Sequence, residues 1–105
     1  MEVRIADLLN SSSRIEIRPS PDSVFSHLDG ECVVLNYRAG TYFGLQGAGS
    51  EIWHLLQNGV SFDALCAQLE YRFHVDAETC RRDAATFIME LSEHGLVELT
   101  AQTSA

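Results

Sequence analysis

Apolar and polar positions alternate with two different periods along the chain, and the change of period divides it into a strand-forming half and a helix-forming half. Residues 14–18, Arg-Ile-Glu-Ile-Arg, alternate with period two and predict a short half-exposed strand or extended arm. A mixed stretch over 3–9 precedes them, and Asn10, Ser11, Ser12 and Ser13 read as a linker. Pro19 and Pro21 bias their predecessors away from helix, so the arm turns or runs extended before the next element. Residues 24–28 and 31–36 predict two strands joined by Asp29-Gly30, a dipeptide that supplies the positive φ angles of a tight hairpin. Arg38-Ala39-Gly40 breaks the pattern, and Thr41-Tyr42-Phe43-Gly44-Leu45, β-branched and aromatic, predicts a third strand. The result is a three-stranded antiparallel meander.

Beyond residue 47 the period lengthens to that of a helix. Ile52, Leu55 and Leu56 fall at i, i+3 and i+4 within a helix predicted over 48–57, which Asn58-Gly59 would end. Ser61 is placed to cap a second helix whose stripe is Phe62, Leu65, Cys66, Leu69 and Phe73. Asp76 is placed to cap a third, with Cys80, Ala84, Phe87, Ile88 and Leu91 on its apolar face and Gly95 at its end. Residues 96–99 form a terminal hydrophobic strand or anchor, and 100–105 have little to bury and are expected to fray. Strands first and helices afterwards indicate an α+β domain, a small winged helix-turn-helix-like fold with a three-stranded antiparallel sheet packed on three helices. The expected organisation is an N-terminal arm or linker over 1–21, the domain over 22–99 and a disordered tail over 100–105.

Charge narrows the partners. The 105 residues carry 15 Asp plus Glu against 7 arginines and no lysine, a net charge of −8. A winged helix usually suggests DNA, but residues 76–95 hold Asp76, Glu78, Asp83, Glu90 and Glu93 against Arg81 and Arg82, and the turn at 36–40 offers only Arg38. That distribution lacks the basic footprint through which proteins neutralise phosphates, so nucleic acid is not an expected partner and a winged-helix transcription regulator is the lesser alternative. The N-terminal residues lack the basic and apolar regions of an export signal, and no apolar run approaches the ~18 residues of a membrane span. A cytoplasmic protein without a membrane partner is expected.

Catalytic chemistry finds little support. Cys32, Cys66 and Cys80 contain no C-x-x-C pair, and Cys66 and Cys80 lie on apolar helix faces, where packing outweighs a nucleophilic role. The four histidines, His27, His54, His74 and His94, lack metal-ligand spacing, since Asn58 stands four residues after His54. Gly40, Gly44, Gly47 and Gly49 cluster without the Gly-Lys-Ser/Thr of a phosphate loop. No enzyme activity, metal or cofactor is expected. What remains is the strand over 41–45, which ends the meander in sequence. If nothing pairs with its outer side, its backbone groups can accept an extended peptide, with the helix after Asp76 as the other wall. The competing reading is that Tyr42 and Phe43 alternate between core and solvent as ordinary sheet filling. A protein–protein interaction module remains open on the same grounds.

At Val33-Val34-Leu35-Asn36, at Gly40 to Leu45, at Gly49-Ser50-Glu51-Ile52-Trp53-His54 and on to Gly59, the chain resembles the PqqD-like family. Phe73-His74-Val75-Asp76, the helix over 83–91 and Gly95-Leu96-Val97 extend the resemblance to about residues 22–99. It implies a small non-catalytic protein of ribosomally made, post-translationally modified peptide biosynthesis, a chaperone that binds the precursor's leader as an added strand and presents the core peptide to a modifying enzyme. That enzyme would be a radical S-adenosylmethionine protein, as in pyrroloquinoline quinone synthesis, or a leader peptidase. Carried onto matching positions, Thr41, Tyr42, Phe43 and Gly44 would offer the backbone edge, and Cys80, Arg81, Asp83, Ala84 and Phe87 the helix side. Gln46 stands where the family commonly has Asn or Asp, a departure assigned to the helix cap rather than the groove. The chain does not resemble a close copy of the pyrroloquinoline quinone protein, which implies a different precursor. An exposed edge also allows a homodimer.

Overall fold

A computed structural model describes residues 3–10, 14–29 and 31–101. In chain order the elements are α1 (Ile5–Leu9), β1 (Ile15–Pro19), β2 (Ser23–Leu28), β3 (Glu31–Asn36), β4 (Thr41–Leu45), α2 (Ala48–Leu55), β5 (Val60–Ser61), α3 (Phe62–Phe73), α4 (Ala77–Glu93) and β6 (Val97–Ala101). The expected meander is β2-β3-β4, with Cys32 opposite Leu45 and Val34 opposite Phe43 on its core-facing side. Asp29 takes the positive φ that the hairpin needs, while Gly30, Ser11 to Ser13 and residues 102–105 lie outside the described residues.

The single-sheet expectation is corrected by a second antiparallel sheet, β5-β1-β6. Residues 15–19, which overlap the short strand or extended arm expected over 14–18 outside the domain, are its central strand, and their alternation buries Ile15 and Ile17 in the common core. The anchor expected over 96–99 runs through Ala101, so Thr100 and Ala101 pair with Glu16 and Ile15 instead of fraying. A strand with one apolar face and unpaired backbone groups needs partners, and here they come from the far end of the chain. Helix α1 is a further addition. It is five residues long, packs Leu8 into the core, and is closed by the Arg4 amide donating to Asp7 Oδ2 at 2.8 Å.

The helix signals are realised locally. Ser61 Oγ accepts from the Ala64 amide at 3.1 Å, and Asp76 Oδ2 accepts from the Thr79 amide at 3.1 Å. Helix α2 ends at Leu55, two residues short of the predicted 57. Helix α4 closes with the Gly95 amide donating to the Ser92 carbonyl and the Leu96 amide to the Leu91 carbonyl. This double closure requires a left-handed residue after the cap, and Gly95 has φ +72.

Two side chains fasten the sheet to that helix end. Asn36, the buried polar residue of the core, donates through Nδ2 to the Gly95 carbonyl (2.6 Å) and accepts through Oδ1 from the Arg38 (3.0 Å) and Ala39 (2.9 Å) amides. Thr41 Oγ1 donates to the His94 carbonyl at 2.7 Å. The β3–β4 turn and the end of α4 are thereby held together, which sets the angle between strand β4 and helix α4. Substitution of Asn36 by Ala leaves these partners without a side chain; at about 1–3 kcal/mol for a buried group stranded in this way, N36A should lower unfolding free energy by about 2–4 kcal/mol. Urea titration should show a lower midpoint at unchanged slope.

Candidate functional site

Strand β4 is the outer strand of its sheet, paired with β3 alone among the described residues, so its other edge presents free N–H and C=O groups. Its five residues span ~17 Å and the 17-residue α4 ~26 Å, so the helix forms a wall longer than the edge it flanks. Between the end of β4, the start of α2, the end of α3 and the first half of α4 lies an open groove of about 460 Å³. Gly44 and Leu45 form its strand side. Cys80, Asp83, Ala84 and Phe87 form its α4 side, at spacings that put all four on one helix face.

The remaining walls were not anticipated. Leu69 and Phe73 line the groove from α3 and Val75 from the α3–α4 connection. Phe73 ends the α3 apolar stripe yet is 41% exposed, and Val75 is 43% exposed. In the sequence Phe73 only continues an ordinary core stripe; its half-exposure is visible in the structure alone. Helix α2 adds Ala48, Gly49 and Ile52, and a Cβ on Gly49 would stand 3.3 Å from the Phe87 ring, so glycine lets that ring lie against the helix start. Gln46 also lines the groove, contrary to the expectation that it concerns only the helix cap; the cap position belongs to Gly47, with no side-chain bond.

Of the nine residues singled out on sequence, Gly44, Cys80, Asp83, Ala84 and Phe87 meet in the groove. Thr41, Tyr42 and Phe43 lie on the β4 edge outside it. Thr41 spends its hydroxyl on His94, Phe43 packs its ring 4.5 Å from that of His94, and Tyr42 is 73% exposed on the opposite sheet face. Arg81 is not brought to the groove: its guanidinium pairs with Asp63 at 2.8 Å, donates to the Leu8 carbonyl at 3.3 Å and lies over the Phe62 ring. One residue on from Cys80 is a rotation of ~100° about the helix, which carries the side chain to α3 and α1.

The groove's one charge is Asp83, exposed at its mouth; the Thr79 hydroxyl and the Gln46 amide are its other polar side chains against apolar walls. The thiols are not activated. Burial pushes Cys32 and Cys80 above the ordinary value and pushes Cys66 up to about 12, with the neighbouring Cys80 contributing. All three should therefore stay silent towards a thiol reagent on the native protein at neutral pH and react after denaturation. For the same reason the folded state holds protons that the unfolded chain releases, so stability should fall as pH rises above about 9, the ordinary thiol value.

Residues 31–97 match the family model of coenzyme PQQ synthesis protein D, PqqD. The chain belongs to the PqqD family. The matched PqqD segment contains every groove residue and the β4 edge, and leaves α1, β1 and β2 before it. A solved structure of TbiB1 in complex with the TbiA(β) leader peptide is 36% identical to this PqqD-family chain, with a TM-score of 0.72 over 77% of this chain and 94% of that one. A lasso peptide synthetase B1 complexed with the leader peptide is 26% identical, with a TM-score of 0.70 over 78% of this chain and 96% of that one. No curated protein sequence matches. Among the described residues no helix is long and apolar enough to cross a membrane.

Proposed function

We propose that the protein is a non-catalytic leader-peptide-binding chaperone of ribosomally synthesised, post-translationally modified peptide biosynthesis. It takes the leader of a precursor as an added strand on β4, against α4, and presents the core peptide to a modifying enzyme such as a radical S-adenosylmethionine protein or a leader peptidase. The observation that carries this reading is the free β4 edge running beside an apolar groove, in a chain whose solved relatives TbiB1 and lasso peptide synthetase B1 are each complexed with a leader peptide. Backbone bonds along Thr41 to Gly44 give affinity to any extended chain, and pockets for alternate side chains select among them. Leu69, Phe73, Ala84 and Phe87 favour Ile, Leu, Phe or Tyr of the leader, and Asp83 favours an Arg or Lys at the rim. Precursors are made on ribosomes, so the reading places the protein in the cytoplasm.

The test is calorimetric titration with synthetic leaders of the short precursors encoded beside the gene. Micromolar or tighter binding, about −8 kcal/mol, is expected for one of them. For a leader with a basic residue at the rim, binding should weaken as salt rises, and the leader with that residue neutralised should lose this dependence. No binding to any neighbouring leader would overturn the reading.

A further inference from the structure

The meander has a second open edge. With strand order β2-β3-β4, the outer side of β2 is unpaired among the described residues, at the opposite end of the sheet from the groove. Its sequence, Ser-Val-Phe-Ser-His-Leu, has no charge, no proline and no bulge, since all six residues pair with β3 in unbroken register. These are the devices by which edge strands normally avoid joining other chains, and β2 lacks each of them. Five of its six residues are exposed, Val24, Phe25 and Leu28 prominently so.

The strand is also complementary to itself. In an antiparallel pairing about a two-fold axis, opposite residues share a sheet face, which restricts the centre of symmetry to a residue position. Centred on Ser26, the pairing sets Val24 against Leu28 of the second copy on the outer face, Phe25 against His27 on the helix-facing side, and the two Ser26 hydroxyls against one another. Apolar thus meets apolar and ring meets ring, while small polar groups meet on the axis.

We infer that the β2 edge is a self-association surface, on which a second copy of this chain pairs antiparallel about Ser26 to make one six-stranded sheet, β4-β3-β2-β2-β3-β4. Both β4 edges then lie at the ends, so each copy keeps its groove, and the inference does not rest on what the groove binds. Charge opposes the pairing. Each chain carries −8, and Asp22 and Asp29 flank the two ends of the strand, Asp22 facing Arg38 at 3.5 Å. The dimer therefore tightens as salt rises.

Sedimentation velocity of the full chain should show a concentration-dependent monomer–dimer equilibrium that shifts to dimer in high salt. Ser26→Lys lowers the net negative charge but sets two ammonium groups across the axis, and should leave a folded monomer by circular dichroism. Ser26→Cys should form a linked dimer when oxidised glutathione takes up the two electrons, because residues directly opposite have Cα atoms ~4.5–5.5 Å apart, within disulfide reach. Val24→Cys is the control: its two copies are four residues out of register, ~14 Å apart, and should not link. The native cysteines are buried and do not compete. A monomer at every concentration in high salt would overturn the inference. So would a dimer indifferent to Ser26→Lys, a Val24→Cys variant that links as readily as Ser26→Cys, or a dimer that a leader peptide dissociates.

Discussion

Proline at whichever of Tyr42 and Phe43 turns its N–H outward should abolish leader binding while the domain stays folded. Along an edge strand successive N–H groups point alternately to the partner strand and away, so one of these adjacent residues donates to β3 and the other to the open side. At the outward position proline removes a donor that the folded protein does not use and places its ring where the incoming strand must lie. An edge strand tolerates this, because proline costs a sheet only the ladder bonds it would have made. For the bound leader the loss is a backbone bond plus a steric clash, ~3 kcal/mol by analogy with proline placed inside a hydrogen-bonded ladder, or about 100-fold in affinity. At the inward position the same substitution breaks a β3–β4 bond and should lower the melting temperature as well. The two variants are each other's control, read by calorimetric titration alongside circular dichroism. Unchanged affinity in both would remove strand addition as the binding mode, whatever else the groove holds.

Local chemistry accounts for what was legible before the structure. Asp29-Gly30 and the aromatic run at 41–45 mark the meander because a turn and a half-buried strand are decided by neighbours in sequence. Ser61, Asp76 and Gly95 mark helix ends for the same reason, each acting within three or four residues. The second sheet was not legible. Pairing Ile15 with Ala101 joins opposite ends of the chain, and nothing in either segment names its partner. Val60 and Ser61 make a strand too short to show a period, and α1 is too short to show a stripe. At the site, the apolar α4 face was readable from its spacing, whereas Arg81 came from the resemblance alone, and the helix rotation carries it to Asp63 instead of the groove. The α3 wall was hidden because Phe73 fits an ordinary core stripe until its exposure is seen.

Trp53→Ala should be the most destabilising single truncation in the core, and Trp53→Phe should cost less than half as much. Trp53 is the largest fully buried side chain, and the Phe25 ring of β2 meets it edge-on at 5.9 Å. It therefore joins α2 to the β2-β3-β4 sheet, while its neighbour Ile52 and the start of that helix line the groove. Truncation removes this packing and leaves a cavity that the surrounding elements fill only in part, at about 3–5 kcal/mol. Against a typical domain stability of ~5–15 kcal/mol that is a large share, and a fall in melting temperature of roughly 15 °C should follow. Phenylalanine keeps most of the ring and removes the indole N–H, which is buried with no acceptor among the described residues and so contributes a desolvation cost to the wild type. Scanning calorimetry on both variants separates the two contributions. Equal losses would mean that the N–H is satisfied in solution, by water or a shifted carbonyl. A Trp53→Ala variant that melts with the wild type would mean that α2 is not held to the sheet through this ring. Below its melting temperature Trp53→Ala should also bind leader more weakly, because the α2 wall of the groove would no longer be fixed against the sheet, whereas Asn36→Ala loosens the contact between the β3–β4 turn and the far end of α4, outside the groove.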